Sequence, residues 1–515
     1  MYIYLIDIID FIRDVADVNY KLNLSLCQYI PRRYLVEMEV EMEVFVIKEN
    51  KKIIFNGYAY TVHHNLVTSI RWKCSNKISK QCPGILVTSN DYKNPTIEVE
   101  HSHAGDENLE TVEKAKAEML KRVSTFSTST PSQIFAEVIN QVPEQALTSF
   151  ANEETTKRML RRQKNKGNPK KPSCLSELTI NNEWAMYKDE RFLLFDNGPG
   201  SNERIIIFSL DEGLVHLSEA DTWFCDGNFK LCPEFFLQLY VIRVKKYDKF
   251  ITPIFCLLQK KTRSTYEEMF TAIFNKCSEN NVYPDPKIMN MDFEQAVIQA
   301  AKTVIGEHLI IQGCFYHLCQ STHRKLQELG LQNKYNHDNV FSHYCSMIDG
   351  LAFLPVQKVI EGMKYLKSIC APDNTDIIDY FDSTYVTGTY RKVGVSKFRR
   401  NKPLYPPETW NVHEATLHSR HRTNNICESW NNRFAHLIGH SHPTIWKLIN
   451  KFREEVGVDK AKIALHDMEP VRKKKHGTEK NVKLQYLCRK IVNNELTIAE
   501  FLNRIGHCLR KRNVF

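Results

Sequence analysis

Apolar and polar residues alternate over residues 44–104, and Gly57, Pro83 and Gly84 supply turn positions within this alternation. A period of two residues predicts strands, because successive side chains of a strand point to opposite faces. The segment is therefore expected to be a small β-rich domain.

Residues 108–172 have a helical pattern instead. Thr130 and Pro131 are typical of a helix start, and a basic helix is expected from Glu153 to about Lys164. This connector is compatible with DNA reading in a groove. The lack of a clear helix-turn-helix signature favours a connector with incidental affinity for phosphates. Turn residues in the segment 167–172 indicate a domain boundary.

Strands and helices alternate beyond this boundary, which indicates an α/β domain over residues 180–456. Three β-prone runs with short connections predict antiparallel strands, and a helix then leads to a strand parallel to the first. This order resembles the ribonuclease H-like fold. The expected strands are 204–210, 222–230, 235–245, 251–258, 287–291 and 309–314, and the expected helices between them are 265–277 and 294–305.

Residues 318–410 separate the strands of this core from its final helix. They are too many for a simple connection and their pattern is helical, so we expect an all-helical insertion. Residues 457–515 are expected to form a helical basic tail. Residues 1–43 form a leader to which no fold is assigned.

The composition is that of a large folded protein. A chain of 515 residues that is 42% hydrophobic can fill a sizeable core, and about two to four domains are expected. Its 15 cysteines are scattered singly, which favours a reducing compartment. No uncharged apolar stretch approaches the roughly 20 residues that cross a bilayer. We therefore expect a soluble intracellular protein without a membrane partner.

The basic residues behind the formal charge of +10 occur in clusters. The largest surrounds the basic helix, and smaller ones lie at 391–402 and 472–475. Clustered cations predict a polyanionic partner, although one basic run alone is equally compatible with a solvated linker. The candidate DNA-binding residues are Arg158, Arg161, Arg162 and Lys164.

Three acidic residues, far apart in the chain, are candidates for a metal site. Asp226 and Asp292 end or interrupt apolar, β-prone runs, where an ionised carboxylate is costly to bury unless a cation pairs with it. The expected topology places both on adjacent strands at one edge of the sheet. Glu428 is expected on a helix packed over that edge.

Glu428 has two interpretations. In the first, Asn425, Glu428 and Asn432 share one helical face beside the metal. In the second, Asn425 and Glu428 form a variant capping box, in which the glutamate satisfies a backbone N–H group. Spacing alone leaves both open.

Cys74, Cys82, His101 and His103 lie within the β-rich segment. Two cysteines and two histidines suit tetrahedral zinc, and so short a segment needs a bound metal to be stable. The alternative is a pair of free cysteines beside surface histidines.

Together with four aromatic residues, these candidate ligands resemble the FLYWCH-type zinc finger. The aromatic residues that carry the resemblance are Phe55, Tyr58, Tyr60 and Trp72. The resemblance implies a β-rich zinc-binding unit that recruits DNA or a protein partner. We expect the aromatic side chains to form the core of the small domain rather than platforms for base stacking.

Cys314 and His317 stand three residues apart at the entry to the insertion. They could bind zinc from one helical face, His317 could contact a phosphate beside the carboxylates, or the pair could be a buried cysteine and a surface histidine. In order along the chain, the Cys-Asp-Gly around Asp226, the strand end at Asp292, this Cys-x-x-His and the Asn-rich stretch before Glu428 resemble the MULE family of Mutator-like element transposases.

The MULE resemblance implies that Asp226, Asp292 and Glu428 hold magnesium or manganese and catalyse DNA strand cleavage and transfer. His317 would position or protonate a group near the scissile phosphate. The implied partner is double-stranded DNA and the implied location is the nucleus. Because transposition pairs two DNA ends, a homo-oligomer is also implied.

Two other functions are compatible with the sequence. A domesticated, non-cutting DNA-binding regulator would use the finger and keep the catalytic scaffold only as structure, and loss of an acidic residue would have favoured it. An RNA-cleaving nuclease on the same fold is the weaker reading, because hydrolysis of a hybrid duplex needs neither the insertion nor the zinc module.

Overall fold

The computed structural model describes residues 44–47, 50–125, 129–393, 398–466 and 479–509. The predicted leader and the basic cluster at 472–475 lie outside these residues. The chain divides into two compact units, the first ending at Gly167 and the second beginning at Asn168. Among the described helices, none combines the length and the apolar character needed to span a membrane.

The first unit contains a six-stranded antiparallel sheet in which each strand pairs with the next along the chain. Its strands are β1 Val44–Ile47, β2 Asn50–Phe55, β3 Tyr58–Asn65, β4 Ser69–Cys74, β5 Ile85–Ser89 and β6 Thr96–Val99. The expected alternation is clearest in β4, where Ile70, Trp72 and Cys74 are buried. The prediction of a small β-rich region is confirmed.

Four helices complete this unit: α1 Leu109–Thr125, α2 Pro131–Ile139, α3 Glu144–Leu147 and α4 Glu153–Lys164. As the sequence predicts, α2 starts after Thr130, which forms a capping box with Gln133. The sheet and α1 are joined by Lys52, whose Nζ lies 3.0 Å from an oxygen of the buried Glu113. The finger and the helical connector therefore pack as one unit.

The second unit is built on a seven-stranded mixed sheet in the order β15-β14-β11-β12-β13-β10-β9. Strands β11, β12 and β13 pair in antiparallel fashion, β14 runs parallel to β11, and β15 runs parallel to β14. A short pair, β7 Met186–Tyr187 and β8 Glu190–Arg191, precedes this sheet. The strands are β9 Leu193–Asp196, β10 Ile205–Phe208, β11 Thr222–Asn228, β12 Gln238–Lys246, β13 Lys249–Leu258, β14 Ile288–Met291 and β15 Ile310–Gly313.

Helices cover both faces of this sheet. One face packs on α5 Asp211–Ser218, α6 Arg263–Glu279 and α7 Gln295–Ile305, and the other packs on α15 Asn425–Ile438 and α16 Ile445–Ala464. The side chains of β11 alternate between the two cores. Trp223 and Cys225 belong to the first core, so Asp226 points to the α15 face.

The segment between β15 and α15 forms a second layer of helices with its own core. The helices are α8 Phe315–Glu328, α9 Gln332–His337, α10 Asn339–Gly350, α11 Val359–Ser368, α12 Thr375–Phe381, α13 Pro407–Trp410 and α14 His413–Leu417. One-turn helices lie at Leu175–Glu177, Asn182–Ala185, Leu351–Phe353, Val356–Lys358, Pro372–Asn374 and Asp382–Val386.

The expectation of an all-helical insertion is wrong at one place. Strands β16 Thr389–Lys392 and β17 Phe398–Asn401 form an antiparallel ribbon within it. The helical expectation failed there because the stretch is short and strongly basic, and its residues are exposed on both faces, so no apolar periodicity marks it.

Helices α17 Glu479–Val492 and α18 Ile498–Leu509 add to the core of the insertion. Leu502 and Ile505 are fully buried there, and an added Cβ at Gly350 would lie 2.5 Å from Ile505 Cγ2. The helical residues after 478 are therefore packed against the insertion. The expected boundary at residue 456 falls inside α16.

Candidate functional site

The second unit brings the three predicted acids to one face of the sheet. Thr222 on β11 pairs in parallel register with Ile288 on β14. Asp226 on β11 and Asp292, which directly follows β14, each lie four residues beyond this pair. Glu428 approaches from the first turn of α15, which packs over β11.

His317, in the first turn of α8, lies between two of the acids. Its Nδ1 is 2.6 Å from Asp292 Oδ1, and its Nε2 is 3.5 Å from Glu428 Oε1. Four segments that are distant in sequence therefore meet at one point. The relative solvent exposures of the His317, Glu428 and Asp292 side chains are 25%, 32% and 44%, so a bulky substrate can reach them.

Several buried polar atoms at this point lack a hydrogen-bond partner. They are Asp292 Oδ1, His317 Nδ1, Glu428 Oε1 and Asn431 Oδ1. Asp292 Oδ1 and His317 Nδ1 nevertheless form an ion pair at 2.6 Å, and Glu428 Oε1 lies 3.5 Å from His317 Nε2. Three of the four atoms are oxygens, and convergent oxygens with free lone pairs suit a hard divalent cation.

The pKa values of these side chains also indicate that the cluster needs a bound cation. Burial, reinforced by the nearby charge of Asp292, raises the pKa of Asp226 to about 7. Burial also raises the pKa of Glu428. For His317, burial opposes protonation, but hydrogen bonding and charge interactions with Asp292 and Cys314 outweigh it and raise the pKa to about 11. The carboxylates therefore need positive charge nearby in order to ionise together.

Asn424 joins the segments that carry these side chains. It is fully buried, its Nδ2 donates to the backbone oxygen of Cys225 at 2.8 Å, and its backbone N–H donates to Cys314 Sγ at 3.1 Å. Asn424 thus contacts the neighbour of Asp226 and the residue that precedes α8. Asn424 belongs to the Asn-rich stretch before Glu428, but its sequence position alone does not indicate this role.

Cys314 therefore has a structural role in this arrangement, since its fully buried Sγ accepts the Asn424 N–H group. Ligand atoms of Cys314, His317 and Glu428 nevertheless lie within 4.8 Å of one another, which is close enough for a shared metal ion. The interpretation of His317 as a surface residue beside a buried cysteine is wrong, because His317 lies against two acids.

The capping-box interpretation of Glu428 is also wrong. Asn424, not Asn425, occupies the position that precedes α15, and no side chain caps the helix there. Asn425 and Asn432 are exposed. Asn431 occupies the polar position beside the acids, and its Nδ2 donates to Asp226 Oδ2 at 2.5 Å. Helical spacing could have identified Asn431, which lies three residues after Glu428.

Two glycines near the acids allow other side chains to pack closely against the backbone. An added Cβ at Gly227 would lie 2.3 Å from Gln238 Oε1, and one at Gly313 would lie 2.3 Å from the ring of Phe293. Both positions adjoin the acidic pair, because Gly227 follows Asp226 and Phe293 follows Asp292. Larger residues would displace the strand ends that carry the acids.

In the first unit, the four predicted zinc ligands come together. Cys74 Sγ is 3.4 Å from His103 Nε2, and Cys82 Sγ is 3.3 Å from His101 Nδ1. All four ligand atoms lie within 4.8 Å of one another. Tetrahedral zinc with bonds of about 2.0–2.3 Å separates its ligands by roughly 3.3–3.8 Å. The arrangement therefore fits zinc.

The other ring nitrogen of each histidine forms a hydrogen bond that orients the ring for zinc binding. His103 Nδ1 donates to the backbone oxygen of Ala104 at 2.9 Å, and His101 Nε2 hydrogen-bonds with the hydroxyl of Tyr60 at 2.7 Å. Tyr58 stacks on the His101 ring with centroids 3.7 Å apart. An added Cβ at Gly84 would lie 2.6 Å from that ring, so only glycine leaves room for it.

The aromatic residues of the finger form its core, as the sequence analysis expected. Tyr60 and Trp72 are fully buried, and Phe55 and Tyr58 pack against them. Trp72 Nε1 donates to Thr88 Oγ1 at 2.9 Å, which satisfies the buried indole.

The candidate DNA-binding residues lie on α4. Arg158 and Arg162 are exposed. Arg161 Nη2 donates to Glu154 at 2.7 Å, and Lys164 Nζ donates to the backbone oxygen of Ser129 at 2.6 Å. Two of the four cations thus already have partners within the first unit.

A comparison with protein families identifies the small β-rich segment of the first unit. The family model described as the FLYWCH zinc finger domain matches residues 47–103, which contain all four candidate zinc ligands. A search of curated proteins finds none that matches the chain. Residues 47–103 of this mixed α/β protein are therefore a FLYWCH zinc finger domain.

Proposed function

We propose that the second unit is a metal-dependent enzyme that cleaves and transfers DNA strands, as transposases do, and that the zinc finger assists its DNA binding. The observation that carries the proposal is the meeting of Asp226, Asp292 and Glu428, with His317 between the last two. Oxygens without a hydrogen-bond partner at one open point suit a cation and a charged substrate.

The sheet supports a ribonuclease H-like assignment. Three antiparallel strands are followed by two parallel strands on the far side of the first, which is the order that the sequence analysis associated with this fold. The ordered marks around Asp226, Asp292, Cys314 and Glu428 favour the MULE family within it. The fold alone does not define an activity, so the proposal rests on the side chains.

Magnesium or manganese would be held by Asp226, Asp292 and Glu428. The oxygen-only character of these donors fits either ion. The chemistry that such an ion supplies when bound is activation of the attacking oxygen and stabilisation of the leaving oxygen at a phosphodiester.

The chain itself supplies orientation and protons. Asn431 holds one oxygen of Asp226, which leaves the other oxygen for a ligand. His317, which lies against Asp292 and Glu428, is placed where it can donate a hydrogen bond to a phosphate oxygen. Arg158 and Arg162 on α4 would contact the DNA backbone.

The test is cleavage of duplex DNA that carries the sequences flanking the gene, with purified full-length protein and magnesium. Asp292→Asn keeps the shape of the side chain but removes its charge, so it should lose at least about 100-fold in rate. Asp285→Asn is the matched control, because Asp285 is 74% exposed and pairs with His308, away from the acids. If the wild-type protein cuts no faster than Asp292→Asn, the proposed activity is wrong.

A domesticated DNA-binding regulator is the second candidate, because the FLYWCH zinc finger at residues 47–103 supports DNA binding that does not involve the acids. Under that function, Cys74→Ser should abolish both zinc content and DNA binding, whereas Asp292→Asn should leave every cellular effect unchanged.

Both functions place the protein in the nucleus, which imaging of a tagged chain would test. Only the transposase function requires an oligomer that pairs two DNA ends.

A further inference from the structure

The ribbon formed by β16 and β17 is exposed along its whole described length. All eight residues of the two strands are exposed, on both faces. An isolated two-stranded ribbon buries too little surface to be stable by itself. The exposure of this ribbon is therefore best explained if the ribbon binds a partner.

The charge of the ribbon is of one sign. Its exposed cations are Arg391, Lys392, Arg399, Arg400 and Lys402, and residues 389–402 include no Asp or Glu. Within the described ranges of the chain, no carboxylate forms an ion pair with any of the five. Arg391 lies directly opposite Arg399 in the register, an arrangement that is repulsive without a polyanion.

Aromatic side chains lie on the face that carries the other cations. Tyr390 is opposite Arg400, and Lys392 is opposite Phe398. Tyr390 and Phe398 are 70% and 66% exposed. Apolar rings beside cations on a protruding strand pair can contact bases while the cations contact phosphates.

The base of the ribbon is fixed to the loop that carries Asp292. The Tyr405 hydroxyl donates to the backbone oxygen of Phe293 at 2.6 Å, and Gln295 Nε2 donates to the backbone oxygen of Leu404 at 2.6 Å. At the same base, Gly388 precedes the first strand with φ +79°, and an added Cβ would lie 2.0 Å from Asn401 O. A duplex held by the ribbon therefore lies next to the acids.

We propose that this ribbon enters the major groove of double-stranded DNA and holds the duplex beside Asp226, Asp292 and Glu428. Two strands about 4.8 Å apart with their side chains match the roughly 12 Å width of the major groove of B-DNA. The deep, narrow major groove of A-form RNA excludes such a ribbon. The choice of DNA rests on the proposed function, but binding by the ribbon does not require cleavage.

The test compares Arg391→Gln combined with Arg399→Gln against Lys364→Gln combined with Arg489→Gln, two exposed cations elsewhere in the second unit. All proteins are full length, carry Asp292→Asn and are kept without magnesium, so cleavage cannot contribute. Duplex DNA binding is measured by fluorescence anisotropy at several salt concentrations. Losing two phosphate contacts should raise Kd at least about 10-fold and reduce the salt slope by about 2.

A second measurement examines the groove itself. Dimethyl sulfate methylates guanine N7, which faces the major groove, so the control protein should protect guanines that the ribbon variant leaves reactive. Because Arg391 and Arg399 repel each other, their removal should not lower the thermal unfolding midpoint. Loss of binding can then not be attributed to unfolding.

Equal Kd and salt slope in the ribbon variant and the control would overturn the inference. Equal weakening of duplex RNA binding, without guanine protection, would also overturn it and indicate a general polyanion surface. A ribbon-dependent affinity in a protein that never cleaves DNA would instead support the ribbon while contradicting the proposed enzyme.

Discussion

Asn431 Nδ2 donates to Asp226 Oδ2 at 2.5 Å and so joins α15 to strand β11. The bond fixes both the rotation of the Asp226 carboxylate and the position of the helix that carries Glu428. Asn431 is therefore a positioning residue for the acids.

Asn431→Ala should reduce cleavage by about 10- to 100-fold, as is typical when a contact that orients a metal ligand is lost. Because the acids themselves persist, added magnesium should recover part of the rate, and the concentration for half-maximal rate should rise. Both are measured by titrating magnesium in the cleavage assay. Asn432→Ala is the control, since Asn432 is exposed and should behave as wild type. An unchanged magnesium profile in Asn431→Ala would contradict this role.

Gly84→Ala should weaken zinc binding in the finger. The new Cβ would lie 2.6 Å from the His101 ring, which packs between Tyr58 and Tyr60 and has little room to move. Competition with a chelator should show an affinity for zinc lower by about 10-fold or more. Gly200→Ala is the control, because no atom lies within 4 Å of its added Cβ. Retention of wild-type affinity would show that the ring can shift without cost.

Sequence pattern predicted the regular parts of both units well. The alternation in β4 and the capping box at Thr130 are local signals, and the structure contains both. Apolar runs likewise located the strands that carry Asp226 and Asp292, because buried strands leave a strong hydrophobic signal.

The features that the sequence does not reveal depend on tertiary contacts or lack a buried face. Asn424 acts through Cys225 and Cys314, residues about 200 and 110 positions away, and no local spacing reveals such a contact. The exposed ribbon has no buried face, so it lacks the periodicity that identifies strands. The contribution of α18 to the core likewise depends on a tertiary contact, in which Ile505 packs against Gly350.

Leu502→Ala should destabilise the second unit by about 2–5 kcal/mol, because a fully buried leucine between α18 and the insertion leaves a cavity when shortened. Urea unfolding followed by tryptophan fluorescence reports mainly on this unit, since every tryptophan except Trp72 lies in it. Val482→Ala on α17, at a side chain that is 52% exposed, should change stability by less than about 0.5 kcal/mol. Equal stability of the two variants would mean that α18 does not contribute to the core.

Asp349 gives a prediction about pH. It lies on α10, where burial raises its pKa to about 7 although Cys319 and Thr322 hydrogen-bond to it. Its Oδ1 has no hydrogen-bond partner. Because the folded state holds this proton more tightly than the unfolded chain, its stabilising contribution is complete below about pH 4. It is lost as the pH rises through about 7, at up to about 1.4 kcal/mol per pH unit.

Asp349→Asn lacks this titration and keeps a similar shape. Its free energy of unfolding relative to wild type should therefore increase between pH 5 and pH 8, by about 2 kcal/mol for a shift of this size. Urea unfolding of both proteins at several pH values measures the difference, and other titrating groups cancel because both proteins share them. Asp373→Asn is the control, because Asp373 is exposed and its pKa is lowered by Lys334. If the curves of wild type and Asp349→Asn stay parallel across this range, Asp349 is ionised in the folded protein.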